Sequence, residues 1–316
     1  MSSEPVILSV VVSVYNEELS LNKFHQELND QLNKIDVLSE VIFVDDGSID
    51  SSLKILENFS NNFKNVKTIS FSRNYGHEAA MIAGIDNAKG KYIICLDADL
   101  QHPPSLISEM LTKAISGNEI VLMKREERED GNFIMKLFSK VFYNFLNRVS
   151  PVKFEKNVSD FFLISDKVAQ VLKNDFRERI RFLRGYIQLV GFKKDYIIYK
   201  APERFDGESK YNFRSLVSLS TEAITSFSKL PLRLGLGLGI FGFILSLIIG
   251  GYSLVMHFYD DTPSGYTTLI LTVTILSSIQ FILIGFIGIY IGYLFDEIKR
   301  RPIYIIDKLI SSDEKL

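Results

Sequence analysis

The sequence contains one cysteine, no tryptophan and only four histidines. One cysteine cannot close an internal disulfide and supplies no metal-ligand set. Cys95 stands in an apolar run and reads as a small buried hydrophobe. His25, His77, His102 and His257 lack zinc-site spacing, which argues against a zinc enzyme. Charge of either sign is not in excess: the net value is −2, so nothing pulls the whole chain toward nucleic acid. Anion binding must come from local clusters. Residues Met1 to Pro5 show no basic stretch leading into an apolar core, so no secretory leader is expected and the N-terminal domain is expected in the cytoplasm.

Apolar residues are present in quantity and unevenly spread. Residues 1–230 alternate short apolar runs with amphipathic stretches, whereas 232–256 and 267–295 are long apolar segments. The first of these carries only Arg233, near its start, and the second carries no charge. Each exceeds the ~20 residues needed to cross a hydrocarbon core, so both are expected to be membrane spans. Lys229 and Arg233 flank the first, and Lys299, Arg300, Arg301 and Lys308 follow the second. The connecting stretch, His257 to Tyr266, has no Lys or Arg, so both ends are expected inside, with a short external loop. Gly237, Gly239 and Gly242 match a dinucleotide-binding fingerprint, but no strand precedes them and they lie within a span. Glycines that let helices approach are the better account. Gly235 with Gly239, and Gly288 with Gly292, have GxxxG spacing, which permits a homo-oligomer.

In the first part, Ile7 to Val14 is a continuous β-branched run, as in a buried parallel strand. Helical spacing follows from about Leu19 to Leu38, and strand signals recur at Val41–Val44, Val66–Phe71, Tyr92–Leu96 and Ile120–Met123. This alternation predicts a doubly wound α/β sheet, whose ligands sit beyond the carboxyl ends of its strands.

Acidic clusters fall at those ends. Tyr15-Asn16-Glu17 follows the first strand, Asp45-Asp46-Gly47-Ser48 the second, and Asp97-Ala98-Asp99 the fourth. Any one of them could merely cap a helix. Three at successive strand ends point to a ligand whose charge needs a divalent cation, and carboxylate oxygens suit Mg²⁺ or Mn²⁺. Alternation turns Asp97 and Asp99 to the same side. A basic group comprises Arg125 and Arg128, then Arg177, Arg179, Arg181 and Arg184, then Arg204 and Lys210. Some of these read as a solvated face. Residues 213–230 carry apolar side chains at helical spacing, which fits an amphipathic helix at the membrane interface and equally one packed on the soluble domain.

The order VYNE, DDGS, RNYGHEAAMIAG, DADLQHPP, RFLRG and GESKY resembles glycosyltransferase family 2, of the GT-A fold. More narrowly it resembles the dolichol-phosphate mannose synthases and the bactoprenol glucosyltransferases, through nearly the whole chain. The resemblance implies a GT-A domain over 1–211, a juxtamembrane helix over 212–230, a two-helix membrane hairpin over 231–296 and a cytoplasmic basic tail over 297–316. It implies that Tyr15, Asn16, Glu17, Asp45, Asp46 and Asp97 line a nucleotide pocket, and that Asp97, Asp99 and Gln101 hold metal and diphosphate. It gives Asp160 a base role and Asp99 a catalytic one, and gives Arg125, Arg128, Arg181, Arg184, Arg204 and Lys210 to lipid phosphate and diphosphate. Three residues depart from the common pattern: Ser13 stands for a proline, Ser159 for a glycine and Phe162 for an arginine.

The implied reaction is inverting transfer of a hexose, with glucose from UDP-glucose as first choice and mannose or N-acetylglucosamine behind it. The acceptor is polyprenyl phosphate, at the cytoplasmic face of a bacterial inner membrane. Two rivals remain. A processive polysaccharide synthase would resemble its family in a QxxRW motif, which a chain without tryptophan cannot contain. An inactive nucleotide-sugar-binding scaffold is disfavoured by the intact DDGS, DAD and GESKY.

Overall fold

The computed structural model describes residues 5–126, 155, 157–178, 182–202, 240–242, 244–245, 247–248, 251–252 and 265–312. The chain divides into two compact units. One comprises Met1–Asn147, Pro151–Asn212 and Pro302–Leu316; the other comprises Phe213–Arg301 with Arg148–Ser150.

The first unit is a three-layer α/β body around an eight-stranded sheet of order β7-β5-β6-β4-β1-β2-β3-β8. Strands β1 (Leu8–Val14), β2 (Ser39–Asp45), β3 (Val66–Phe71) and β4 (Tyr92–Asp97) are mutually parallel. The helices α1 (Leu21–Leu32), α2 (Ser52–Asn62) and α3 (His77–Asn87) connect them. All seven residues of β1 are buried, as suits a strand of mostly apolar residues between two helical layers. A short 3₁₀ turn and α4 (Ile107–Ile115) lead into β5 (Ile120–Arg125). Then β6 (Val158–Ser165) inserts antiparallel between β4 and β5. Helices α5 (Asp166–Asp175) and α6 (Leu183–Leu189) precede β7 (Lys194–Tyr199), which lies parallel to β5.

The five strands expected from the sequence are present, and the sheet is mostly parallel. Helix α1 is shorter than its expected span: it ends at Leu32, and Ile35 and Val37 pack against the core from a turn. The apolar pattern continues past the helix because the core does, not because the helix does.

The C-terminal segment calls for a larger correction. Residues 297–316 were expected as a basic tail, yet β8 (Ile306–Ser311) pairs antiparallel with β3. Tyr304 stacks on Phe71, with ring centroids 5.1 Å apart, and its hydroxyl donates to Asp86 Oδ2 at 2.7 Å. The basic residues around the segment hid a strand whose apolar positions cover the edge of β3.

In the second unit, α7 (Gly265–Ile298) contains Ile275–Phe295, a stretch long and apolar enough to cross a membrane. Leu269, Phe281 and Ile282 are among its exposed apolar side chains. Residues of the other expected span that are described, such as Ile240, Phe241 and Gly242, are helical. A Cβ on Gly242 would lie 3.6 Å from both Leu276 and Ile279 of α7, so this glycine permits a close approach. Gly235 and Gly239 lie outside the described residues, as do most of 203–264.

Candidate active site

Parallel pairing gathers the acidic motifs. Val14 lies opposite Asp45 in the β1–β2 register, and Ser13 lies opposite Asp97 in the β1–β4 register. The turn after β2 needs Gly47: its φ is +68°, and a Cβ there would come within 2.5 Å of the Arg73 carbonyl carbon. Asn16 also adopts a left-handed conformation, with φ 55°, and its Oδ1 accepts from Ile49 N at 2.9 Å. The turns after β1 and β2 are thereby tied together. Ser48 Oγ accepts from Asn16 N at 3.0 Å, and Ser52 Oγ accepts from Glu17 N at 2.8 Å.

The two aspartates after β2 differ in use. Asp45 accepts from Ser70 Oγ at 3.0 Å and from Ser48 N at 3.2 Å. Asp46 is 2 % exposed and accepts from Tyr75 N at 2.6 Å and Gly76 N at 2.9 Å, so it shapes the loop leading into α3. Burial pushes the Asp46 carboxyl above the usual aspartate value, against the pull of those two N–H groups.

At the end of β4, burial alternates. Ala98 and Leu100 are buried, while Asp97 and Asp99 are partly exposed. Both acids therefore face away from the core that holds their neighbours. Asp99 Oδ1 accepts from Gln101 N at 3.0 Å, and Leu100 takes a left-handed φ of 64° to make the turn.

The Asp97 carboxylate has one hydroxyl donor and two imidazole rings beside it. Ser13 Oγ donates to its Oδ1 at 2.7 Å, His77 Nδ1 lies 3.5 Å from Oδ1, and His102 Nδ1 lies 3.6 Å from Oδ2. Burial raises the Asp97 carboxyl, but His77, His102, the Ser13 hydroxyl and Arg125 outweigh it and hold it below the usual value. His102 is wholly buried and stacked on Phe161 at 5.2 Å. Burial holds its ring below the usual histidine value despite Asp97.

Antiparallel β6 brings the third cluster. Its N-terminal end lies beside the C-terminal ends of β4 and β5, since Cys95 pairs with Phe162 and Lys124 with Val158. Asp160 is thereby set near Asp97. Its Oδ1 lies 2.9 Å from Arg184 Nε, and its Oδ2 lies 3.9 Å from His77 Nε2. Arg184 belongs to α6, whose first N–H, on Leu183, donates to Glu78 Oε2 at 2.7 Å. Burial and the Asp160 charge push the Glu78 carboxyl up.

Arg125, at the end of β5, donates through Nε to the Tyr199 hydroxyl at 3.2 Å, and its Nη2 lies 3.2 Å from His102 Nε2. His102 Nδ1 already accepts from Asp97 N at 3.0 Å. A neutral imidazole has one acceptor nitrogen, so His102 satisfies one of these two donors at a time. Arg125 is thus weakly held on that side.

Of the residues expected from sequence, Asp97, Asp99, Gln101, Asp160, Arg125 and Arg184 are carried by adjacent strand ends, the turn after β4 and α6. Arg128, Arg181, Arg204 and Lys210 lie outside the described residues. Sequence reading missed Ser13, His77, Glu78 and His102. The signals at hand were the shared segments RNYGHEAAMIAG, which holds His77 and Glu78, and DADLQHPP, which holds His102, and the departure from proline at Ser13.

A family model described as glycosyl transferase family 2 matches residues 9–172. An uncharacterized glycosyltransferase, YkcC, of Bacillus subtilis is 38% identical over 99% of this chain and 97% of its own length. The SfII prophage-derived bactoprenol glucosyl transferase of Shigella flexneri is 36% identical over 95% of this chain and 97% of its own. Among solved structures, a Mycobacterium tuberculosis glucosyl-3-phosphoglycerate synthase, in complex with Mn²⁺, UDP and glucosyl-3-phosphoglycerate, aligns with a TM-score of 0.48 at 15% identity. That alignment covers 69% of this chain and 77% of that one. With its mostly parallel, GT-A-like α/β sheet, its acidic strand ends and these full-length relatives, the chain belongs to glycosyl transferase family 2 and is a glycosyltransferase.

Proposed function

We propose that the protein transfers glucose from UDP-glucose to polyprenyl phosphate, in bacteria undecaprenyl phosphate, at the cytoplasmic face of the inner membrane. The observation that carries this reading is the side-by-side placement of an acidic and a basic cluster at one end of the sheet. Asp97 and Asp99 stand at the end of β4, with Arg125 at the end of β5 and Arg184 on α6. A sugar nucleotide and a lipid phosphate are both anions, and bringing them together needs charge of both kinds around them. Full-length likeness to a bactoprenol glucosyl transferase supports the choice of sugar and lipid.

The residues fit a divalent ion of the hard class. Among the described residues no group of three or more His, Cys, Asp or Glu forms a cage. A Mg²⁺ or Mn²⁺ bound by one or two carboxylates, with substrate phosphates completing its shell, needs none. Asp97 and Asp99 would hold it with Gln101 beside them, and it would supply Lewis-acid stabilisation of the departing diphosphate. Tyr15, Asn16, Glu17 and Asp45 line the nucleotide side, and Asp46 maintains the loop beside it.

Transfer is a single displacement. A lipid phosphate oxygen attacks the anomeric carbon, the bond from that carbon to the nucleotide diphosphate breaks, UDP leaves with the electron pair, and the anomeric configuration inverts. A phosphate monoester has a second pKa of about 6, so it reaches the site largely dianionic and needs little help from a base. Asp160 then serves chiefly to hold Arg184, while Arg184 and Arg125 receive phosphate oxygens in planar, forked contacts. Arg125 gains most by turning toward an anion, because His102 is a poor partner for it.

The fold adds a topological argument for a membrane hairpin to the hydropathy. Strands β7 and β8 belong to one sheet, so the chain leaves and re-enters the same body on one side of any membrane. If α7 crosses once, a second crossing must lie between β7 and α7, where 232–256 is the apolar candidate. Both termini are then cytoplasmic, and residues 213–230 serve as the juxtamembrane helix.

The test is turnover by purified protein in detergent. Undecaprenyl phosphate and Mg²⁺ are supplied with radiolabelled UDP-glucose, GDP-mannose or UDP-N-acetylglucosamine in parallel. Label entering the lipid from UDP-glucose alone is the expected result. Entry only from another donor replaces the sugar, and entry from none overturns the reading.

A further inference from the structure

We propose that Ser13 and His77 form a positioning pair that fixes Asp97, on the nucleotide side of the site, against Asp160, on the acceptor side. The labels for the two sides rest on the function proposed above; the pair itself rests on hydrogen-bond accounting.

The Ser13 hydroxyl has a single proton. Its oxygen lies 2.7 Å from Asp97 Oδ1, and an ionised carboxylate only accepts, so that proton is directed to Asp97. Ser13 Oγ also lies 3.0 Å from His77 Nδ1. With its proton committed, the hydroxyl can only accept from the ring, so His77 must carry hydrogen on Nδ1. The chain of donation runs His77 Nδ1–H to Ser13 Oγ–H to Asp97 Oδ1. This leaves Nε2 facing Asp160 Oδ2 at 3.9 Å, enclosed and without a hydrogen-bond partner among the described residues.

The ring therefore stands between the two carboxylates, tied to one and aimed at the other. Asp160 is gripped on its far oxygen by Arg184 at 2.9 Å. The next residue, Glu78, pins the first N–H of α6, the helix that carries Arg184. One turn of α3 thus sets the position of both carboxylates and of the arginine. Neither Ser13 nor His77 needs to touch substrate to do so, and both act through Asp97 and Asp160.

The test combines a spectroscopic and a kinetic readout on the full-length protein in detergent. In alkaline solution, where the ring holds one proton, ¹⁵N shifts of His77 should report hydrogen on Nδ1 in the wild type and loss of that preference in Ser13→Ala. Hydrogen on Nε2 in the wild type overturns the proposal, whatever the protein transfers. Kinetically, Ser13→Ala and His77→Ala should each lower kcat about 10- to 100-fold, because small misplacements of reacting groups cost that much. UDP affinity, measured by calorimetry with Mg²⁺, should move less than about 3-fold, and the double variant should be no worse than the poorer single one.

The amide nitrogen of His77→Asn reaches roughly the place of Nδ1 and should restore most turnover. That of His77→Gln reaches roughly the place of Nε2 and should not. Equal behaviour of the Asn and Gln variants, or independent, multiplying effects of the Ala variants, overturns the pairing. Absence of transfer by the wild type refutes the proposed function instead, and leaves the ¹⁵N result to decide the pair.

Discussion

The parallel half of the sheet, β3-β2-β1-β4, and the mixed half, β6-β5-β7, end at the same edge with opposite chemistry. The parallel half ends in Asp45, Asp46, Asp97 and Asp99. The mixed half ends in Lys124 and Arg125 and supports Arg184, with Asp160 at the seam. Reversal of one strand accounts for the juxtaposition. Because β6 runs antiparallel, its beginning meets the ends of β4 and β5, and a residue early in the strand joins residues late in its neighbours. A fully parallel sheet would have carried Asp160 to the opposite edge. On the function proposed above, each of two anionic substrates would meet a half of different charge.

The largest effect is expected from removing the acidic half. Asp97→Asn should lower turnover by about 10³-fold or more, since it takes charge from the leaving-group side of the site. The thermal midpoint should fall somewhat as well, because the groups that hold this carboxyl below its usual value also tie it to the fold, so turnover is compared on protein shown to be folded. Metal-stimulated activity in an Asp97→Ala, Asp99→Ala double variant would remove these residues from the metal assignment. Arg184→Ala attacks the other half. It should raise KM for lipid phosphate about 10- to 100-fold, the worth of one or two charge-assisted hydrogen bonds, and leave UDP affinity within about 3-fold. If UDP affinity falls and the lipid KM does not, the two halves have been assigned the wrong way round.

Smaller effects separate chemistry from scaffold within the parallel half. Glu40 lies at the start of β2, at the end remote from the site, and is 4 % exposed. It accepts from Ser9 Oγ at 2.7 Å and Lys89 N at 2.8 Å, and pairs with Lys67 Nζ at 2.6 Å. Burial raises its carboxyl, but Lys67, Ser9 and Lys89 together hold it below the usual glutamate value of 4.5. A depressed carboxylate stabilises the fold above its unfolded pKa and loses that contribution as pH falls through its folded pKa. Glu40→Gln should therefore cost about 1–3 kcal/mol at neutral pH, and the difference from wild type should vanish in acid below the folded value. Denaturant titrations across pH check both points, and kcat should be unaffected. The least effect is expected for Tyr304→Phe, about 1 kcal/mol, since Arg177 continues to hold Asp86 through Nη1 at 2.9 Å.

How much of this was legible in the sequence differs between the same two halves. The strands of the parallel half are buried on both faces, so they appear as mostly apolar runs rich in Val and Ile, and their acidic ends stand out against them. In the mixed half, β6 opens with Ser159 and Asp160 inside the strand, and β7 mixes Lys194, Asp195 and exposed Ile198 with its apolar residues. Neither gives a clean period. Ser13 and His77 escaped for a different reason. Neither shows a ligand pattern in its own segment, a serine in a strand and a histidine at a helix start; pairing β1 with β4 brings Ser13 to Asp97, and the start of α3 brings His77 there. Strand β8 was concealed by the lysines and arginines around it, which were read for membrane orientation and not for what lies between them.

The return of β8 to β3 also bears on the order in which the protein is made. The edge of β3 emerges from the ribosome about 230 residues before the strand that covers it, an interval of roughly 10–50 s at ordinary rates of synthesis. The apolar segments around α7 emerge within that interval. The nascent catalytic body must therefore wait with an open strand edge, of the kind that invites pairing between chains, until the apolar segments have been dealt with. Synthesis of those segments and completion of the sheet become successive events on one chain. A delay in the first prolongs the exposure of the second.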